Sequence, residues 1–188
     1  ACGAISQDTT IVTATFDSAP SLTCQPPTDY FMCGPDSVII PVPVTPTTAV
    51  VTTSFGTYAN GAVRFYANSE GTYDITVTAT TGCGVDTCHL TGNIDFNEAP
   101  IASAGSDQTL FLCDAESICW SASCSDVDDN LTACELISPV GTYNGSQICF
   151  TPTVDGSYEF VLRATDECGE IDLDTAVINV TFNSAPTI

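Results

Sequence analysis

Along most of this chain apolar and polar residues alternate one by one in short runs. Val, Ile, Thr, Tyr and Phe fill the runs, and Gly, Pro, Asn and Asp separate them. A period of two with such punctuation predicts strands and turns, and helical spacing is nearly absent. The runs place strands at 29–32, 37–44, 49–54, 62–66, 72–79 and 89–96. A second set falls at 108–112, 117–124, 132–137, 147–151, 157–165 and 175–182. Parity gives each set one interior face. Val38, Ile40 and Val42 match Ile118, Trp120 and Ala122, while Tyr73, Ile75, Val77 and Ala79 match Tyr158, Phe160, Leu162 and Ala164. Six or seven short strands in a module of this size predict a two-sheet sandwich.

A tag then sets the phase. Phe16-Asp17-Ser18-Ala19-Pro20 returns as Phe96-Asn97-Glu98-Ala99-Pro100 and as Phe182-Asn183-Ser184-Ala185-Pro186. A Cys-Gly pair stands upstream of each, at Cys2, Cys83 and Cys168. Repetition at this period means tandem copies of one module. Residues 1–17 read as the last strand of a preceding module, 18–97 as module one, 98–183 as module two, and 184–188 as the start of another. The strand expected within 1–17 spans 9–15, and its natural partner would be a preceding module or a neighbouring subunit. The chain thus reads as a window on a longer array, with any secretion signal or anchor outside it.

Composition narrows the function classes. Against 23 acidic residues stand only Arg64 and Arg163, for a formal net charge of −21. Such a surface repels nucleic acid and anionic lipid. No apolar run is long enough to insert into a membrane within this segment. Eleven cysteines with a single histidine, and no Cys-x-x-Cys, argue for disulfides over zinc. The implied location is extracellular or at the cell surface.

The residues of module two also carry a family resemblance. Pro100-Ile101-Ala102-Ser103-Ala104-Gly105-Ser106-Asp107-Gln108-Thr109, then Ser125-Asp126-Val127-Asp128, then Gly156-Ser157-Tyr158 with Ala164-Thr165-Asp166, resembles a PKD-type or related bacterial immunoglobulin-like surface repeat. Module one shares the later half of that pattern. The resemblance implies an all-β chain of tandem immunoglobulin-like (PKD-like) β-sandwich modules, end to end, serving as spacers, adhesins or appendages of secreted enzymes. It brings no catalytic residues. Asp155-Gly156-Ser157-Tyr158 and Glu70-Gly71-Thr72-Tyr73 look like the turn and tyrosine that open strand F of such a sandwich, whose hydroxyl bonds nearby backbone.

Comparing the two modules suggests which cysteines pair, since partners should be kept or lost together. Both modules keep Cys33/Cys113 and Cys83/Cys168, which predicts Cys33–Cys83 and Cys113–Cys168. Cys119 and Cys149 align with Ile39 and Arg64, so both are lost in module one, which predicts Cys119–Cys149. Cys124 and Cys134 bracket an acidic insertion, and Cys24 and Cys88 occur only in module one, giving Cys124–Cys134 and Cys24–Cys88. Cys2 is left to a partner in the preceding module. A rival set uses local pairs such as Cys113–Cys119 and Cys83–Cys88.

Candidate chemistry is sparse. Asp126, Asp128, Asp129 and Asn130 place oxygen ligands in one short loop, a pattern suited to Ca²⁺, although the EF-hand loop is absent and a polar turn explains the same residues. A second acidic group, Asp166, Glu167, Glu170, Asp172 and Asp174, is expected at the opposite pole. Asn130, Asn144 and Asn179 begin glycosylation sequons. His89, the one histidine, stands beside Cys88 and reads as structural. No cofactor is required, and no enzyme is expected. Two functions remain: a structural array of modules forming a stalk, fibre or filament, whose partners are neighbouring modules or identical subunits, or an adhesin or carbohydrate-binding accessory module. The second would use exposed aromatics on surface glycans, with Tyr58 and Tyr143 as candidates.

Overall fold

A computed structural model describes residues 2–3, 5–13 and 16–184. It divides into two compact units, residues 1–96 and 97–188. No helix occurs among the described residues. The first unit holds β1 (Ser21–Leu22), β2 (Tyr30–Met32), β3 (Asp36–Pro41), β4 (Val44–Thr45), β5 (Val50–Thr53), β6 (Thr57–Ala59), β7 (Ala62–Ala67), β8 (Gly71–Thr81) and β9 (Gly84–Phe96). The second repeats the series as β10 (Ile101–Ser103), β11 (Gln108–Leu112), β12 (Ile118–Ser121), β13 (Ser123–Ser125), β14 (Leu131–Leu136), β15 (Thr142–Tyr143), β16 (Gln147–Phe150), β17 (Gly156–Asp166) and β18 (Ile171–Phe182).

Each unit is a sandwich with the same topology. Its larger sheet runs β2-β9-β8-β5 in the first unit and β11-β18-β17-β14 in the second. The opposing sheet is β3-β7-β6 or β12-β16-β15, with β1-β4 and β10-β13 as short edge pairs. Strands β2 and β11 add in parallel to β9 and β18, whereas the long β8–β9 and β17–β18 hairpins are antiparallel. The cores follow the predicted parity. Val38, Ile40, Val42, Ile75, Val77 and Ala79 are buried in one, and Trp120, Ala122, Phe160, Leu162 and Ala164 in the other. Trp120 meets Phe150 and Phe160 edge-on, at 5.9 and 4.9 Å between ring centroids, and its indole Nε1 donates to Ala104 O at 2.7 Å. Each such aromatic pair contributes about 0.5–1.5 kcal/mol beyond its buried area.

Residues 9–13, part of the strand expected over 9–15, pair with no strand of this chain. Residues 5–13 make no ladder, and Ile5, Ile11 and Val12 are 88%, 86% and 83% exposed; 14 and 15 lie outside the described residues. A strand exists only against a partner, and the hairpin strands that would receive it, β8 and β17, are already paired along their length with β9 and β18. Of the start of a further module, 185–188 lie outside the described residues.

Three of the expected disulfides are formed. Cys24–Cys88, Cys119–Cys149 and Cys124–Cys134 have Cα–Cα distances of 5.8, 4.2 and 5.9 Å. Cys119 and Cys149 are direct cross-strand partners, and the first unit has Ile39 opposite Arg64 in the same register. Cys33–Cys83 and Cys113–Cys168 do not form. Cys83 and Cys113 are exposed free thiols, while Cys33 and Cys168 are disulfide-bonded to other partners. The reason is length. Cys83 sits in the β8–β9 turn, whereas Cys33 follows Met32, which is paired with Phe96 at the far end of β9. At about 3.3 Å per residue, β9 separates them by roughly 40 Å, and a disulfide needs Cα atoms within about 7 Å. Cys113, after Leu112 opposite Phe182, is separated from the β17–β18 turn in the same way.

The two tyrosines of strand F also part company. Tyr158 donates to Val154 O at 2.8 Å, the local bond expected of the corner. Tyr73 instead donates to Thr28 O at 2.7 Å, far back in sequence. Burial, with smaller contributions from Tyr30 and Asp29, pushes its phenol up to about 12. The approach of Thr28 explains Gly92: a Cβ there would lie 1.8 Å from the Thr28 carbonyl oxygen and 2.8 Å from the Tyr73 ring. Gly92→Ala is expected to cost about 1–3 kcal/mol or more as Thr28 is displaced. Urea denaturation measures it, and an unchanged midpoint would contradict the close packing.

Candidate functional site

Backbone N–H groups at the strand ends of both units are taken up by acidic side chains. In the first unit Asp86 accepts from Leu22 N at 2.7 Å, Glu70 from Phe96 N at 3.3 Å, and Asp17 from Gly82 N at 3.1 Å. The second unit repeats the scheme. Asp172 accepts from Ala102 N at 2.8 Å and Asp155 from Phe182 N at 2.7 Å. Asp174 accepts from Ala104 N, and Asp107 from Val177 N. The recurrent tag therefore marks the segment each unit ties to its own hairpin turn.

At the corresponding end of the second unit the acidic loop comes into play. Asp126 Oδ1 accepts the Asp128 amide at 2.8 Å, an Asx turn, and Asp129 adopts φ 57°. Asp128 Oδ2 accepts from Glu98 N at 2.7 Å, and Glu167 N donates to Asn130 O at 3.0 Å. Asp166 is buried, with Oδ2 accepting from Asn97 Nδ2 at 2.8 Å and Oδ1 from Glu170 N at 2.8 Å. Burial alone would raise its pKa. The hydrogen bonds from Asn97 and from the Glu170, Gly169 and Cys168 amides outweigh it, so the carboxyl lies below its usual 3.8.

This arrangement corrects the expected placement of the second acidic group. Asp166, Glu167 and Glu170 share the pole of the 126–130 loop because Asn97 bridges Asn130 and Asp166. Asp172 and Asp174 are acceptors for the backbone near β10.

Among the described residues no group of three or more His, Cys, Asp or Glu side chains is arranged to hold a metal. Asp128 is engaged by Glu98 N, and Asp129 is exposed. One contact does leave an oxygen unsatisfied. With the Asn130 amide donating to Asn97 Oδ1 at 2.6 Å, its own carbonyl oxygen faces the Asp126 carboxylate at 3.1 and 3.3 Å. Turning Asn130 sets two carbonyl oxygens together at Asn97, and turning both amides moves the conflict to Asp166. Two amides between two acceptor-only carboxylates cannot all be satisfied by orientation.

The remaining candidates resolve as follows. His89 Nδ1 lies 3.6 Å from Asp74 Oδ1 and 3.4 Å from Thr76 Oγ1, with its side chain 65% exposed, so it is a surface residue. Asn144 and Asn179 are exposed, but Asn130 is half-buried with its amide engaged. Tyr58 and Tyr143 are not free aromatics: both pack on the cores, and the Tyr58 hydroxyl donates to Val42 O at 2.9 Å. Among the described residues the exposed rings are Phe16, Phe111, Tyr66, Phe55 and Phe31, with Phe111, at 79%, and its counterpart Phe31, at 50%, on the parallel edge strands.

No protein-family model matches the chain, and no curated protein sequence does. Among solved structures it is similar to the titin I-band fragment I67–I69, at TM-score 0.52 and 11% identity, over 88% of this chain. A Glu-to-Ala variant of the three-immunoglobulin titin fragment I67–I69 gives TM-score 0.53 and 10% identity over 87% of this chain. In each case the chain spans 66% of the other's length. The fold is that of tandem immunoglobulin-like β-sandwiches. No helix among the described residues is long and apolar enough to cross a membrane.

Asp166 makes the pole testable. A carboxyl whose folded pKa is depressed contributes stability above its unfolded pKa, and loses it as pH falls through the folded value. Asp166→Asn should lower the melting temperature at pH 7 and flatten the loss of stability below about pH 4. Thermal melts across pH 2–7 check this, and parallel curves for the two proteins would exclude it.

Proposed function

We propose that this chain is a structural component of an extracellular, disulfide-stapled array of immunoglobulin-like repeats of the PKD-like type, forming a stalk, fibre or filament at a cell surface. The observation that carries the reading is the repeated strand-end scheme. The same tag, hairpin turn and carboxylate acceptors recur in both units, and only residues 97–100 separate β9 from β10. Oxidised cysteines support an extracellular setting. The exposed 5–13 segment supports pairing with another module or subunit, since its counterpart in the second unit, β18, is a central strand. The role we propose is non-catalytic.

The adhesin or carbohydrate-binding alternative is weakened by the packing of Tyr58 and Tyr143 into the cores. Calcium, if bound, would take the side-chain oxygens that the loop offers at Asp126, Asp128, Asp129 and Asn130. A melting temperature unmoved between millimolar calcium and EDTA removes it.

Electron microscopy of the native material from producing cells tests the array. Thin fibres with a regular axial beading are expected, and compact isolated particles would overturn the reading.

A further inference from the structure

Every repeat carries two cysteine positions that its own sandwich cannot join. One lies in the hairpin turn at the pole where the chain arrives, at Cys83 and Cys168; the Cys83 thiol donates to Asp17 O at 3.1 Å. The other follows the parallel edge strand, at Cys33 and Cys113, beside the pole where the chain leaves at Phe96 and Phe182. Within one unit the two are separated by the length of β9 or β18, roughly 40 Å. Yet Cys33 and Cys168 are disulfide-bonded, while Cys83 and Cys113 are exposed thiols. Both positions are thus shown to be oxidised somewhere in the chain, and one thiol of each kind remains.

From this we infer that Cys113 of one copy of the chain forms a disulfide with Cys83 of a second copy, head to tail. A partner position at each pole, repeated in every unit, is the geometry of a heterologous contact, which propagates along a line instead of closing as a symmetric pair. The reaction is thiol–disulfide exchange. The Cys113 thiolate attacks a small-molecule disulfide and releases one small thiol. The Cys83 thiolate of the next copy then displaces the second, so one small disulfide is reduced to two thiols as one protein disulfide forms. The inference deepens the array reading and rests on it, naming the partner and the bond.

The test uses the whole chain carrying Cys2→Ser, which removes the third free thiol. It is incubated with glutathione disulfide and glutathione, then resolved on a non-reducing gel and by peptide mapping. A ladder of oligomers that collapses with dithiothreitol is expected. The Cys83–Cys113 peptide should exceed each same-site pair by about tenfold, against about twofold for chance pairing. Adding Cys113→Ser or Cys83→Ser, both at exposed positions, should remove everything above the dimer while leaving the circular-dichroism spectrum unchanged. Monomers with both thiols capped by glutathione, or pairs in chance proportions, would overturn the inference. Beaded native fibres without the ladder would sink this inference alone. A ladder beside compact native particles would sink the array reading.

Discussion

Carboxylates accepting main-chain N–H groups hold the ends of both sandwiches together, and much of the remaining architecture follows from them. The edge strands β1 and β10 are too short to be secured by ladder bonds. Asp86 and Asp172 supply the missing acceptors from the long hairpins. Glu70 and Asp155 do the same for the departing phenylalanines, and Asp17 and Asn97 tie the arriving segment to the hairpin turn. A hydrogen bond to a charged acceptor contributes about 1.5–3 kcal/mol, more than a neutral one. The acidity of the chain is therefore partly structural. A composition with 23 acids and two bases suggests a solvated exterior, but several of those groups replace backbone partners.

The hairpins are the frame on which those bonds act. Strand β9 takes β2 in parallel on one side and β8 on the other, and β18 is placed alike between β11 and β17. Their length separates the poles of each unit, and that separation decides which cysteines can meet. It also explains why Gly92 tolerates no side chain, since Thr28 crosses directly over β9 on its way to β2.

What could be read from the sequence was whatever depends on local alternation. The inward parity of Val38, Ile40, Trp120 and Phe160 is visible because a strand has period two, and Cys119–Cys149 because both members were lost together. Strands β6 and β15 were too short to show a period. Tyr58 and Tyr143 were misjudged because they lie in those short strands, where no parity was available. The pairing of Cys33 with Cys83 failed for a different reason. Comparing repeats shows that two positions belong to one scheme, but not whether a residue's mate lies in its own copy or the next. The side of the sandwich occupied by Asp166 was hidden too, because it depends on Asn97 bridging two loops far apart in sequence.

Trp120 is the only tryptophan in the chain and belongs wholly to the second core, edge-on to two phenylalanines and hydrogen-bonded to Ala104. Selectively excited indole emission therefore reports on one sandwich while the other stays silent. The six tyrosines are divided between the units, with Tyr30, Tyr58, Tyr66 and Tyr73 in the first and Tyr143 and Tyr158 in the second. The protein thus carries its own spectral label, and the loss of one fold can be followed against the total without attaching a dye.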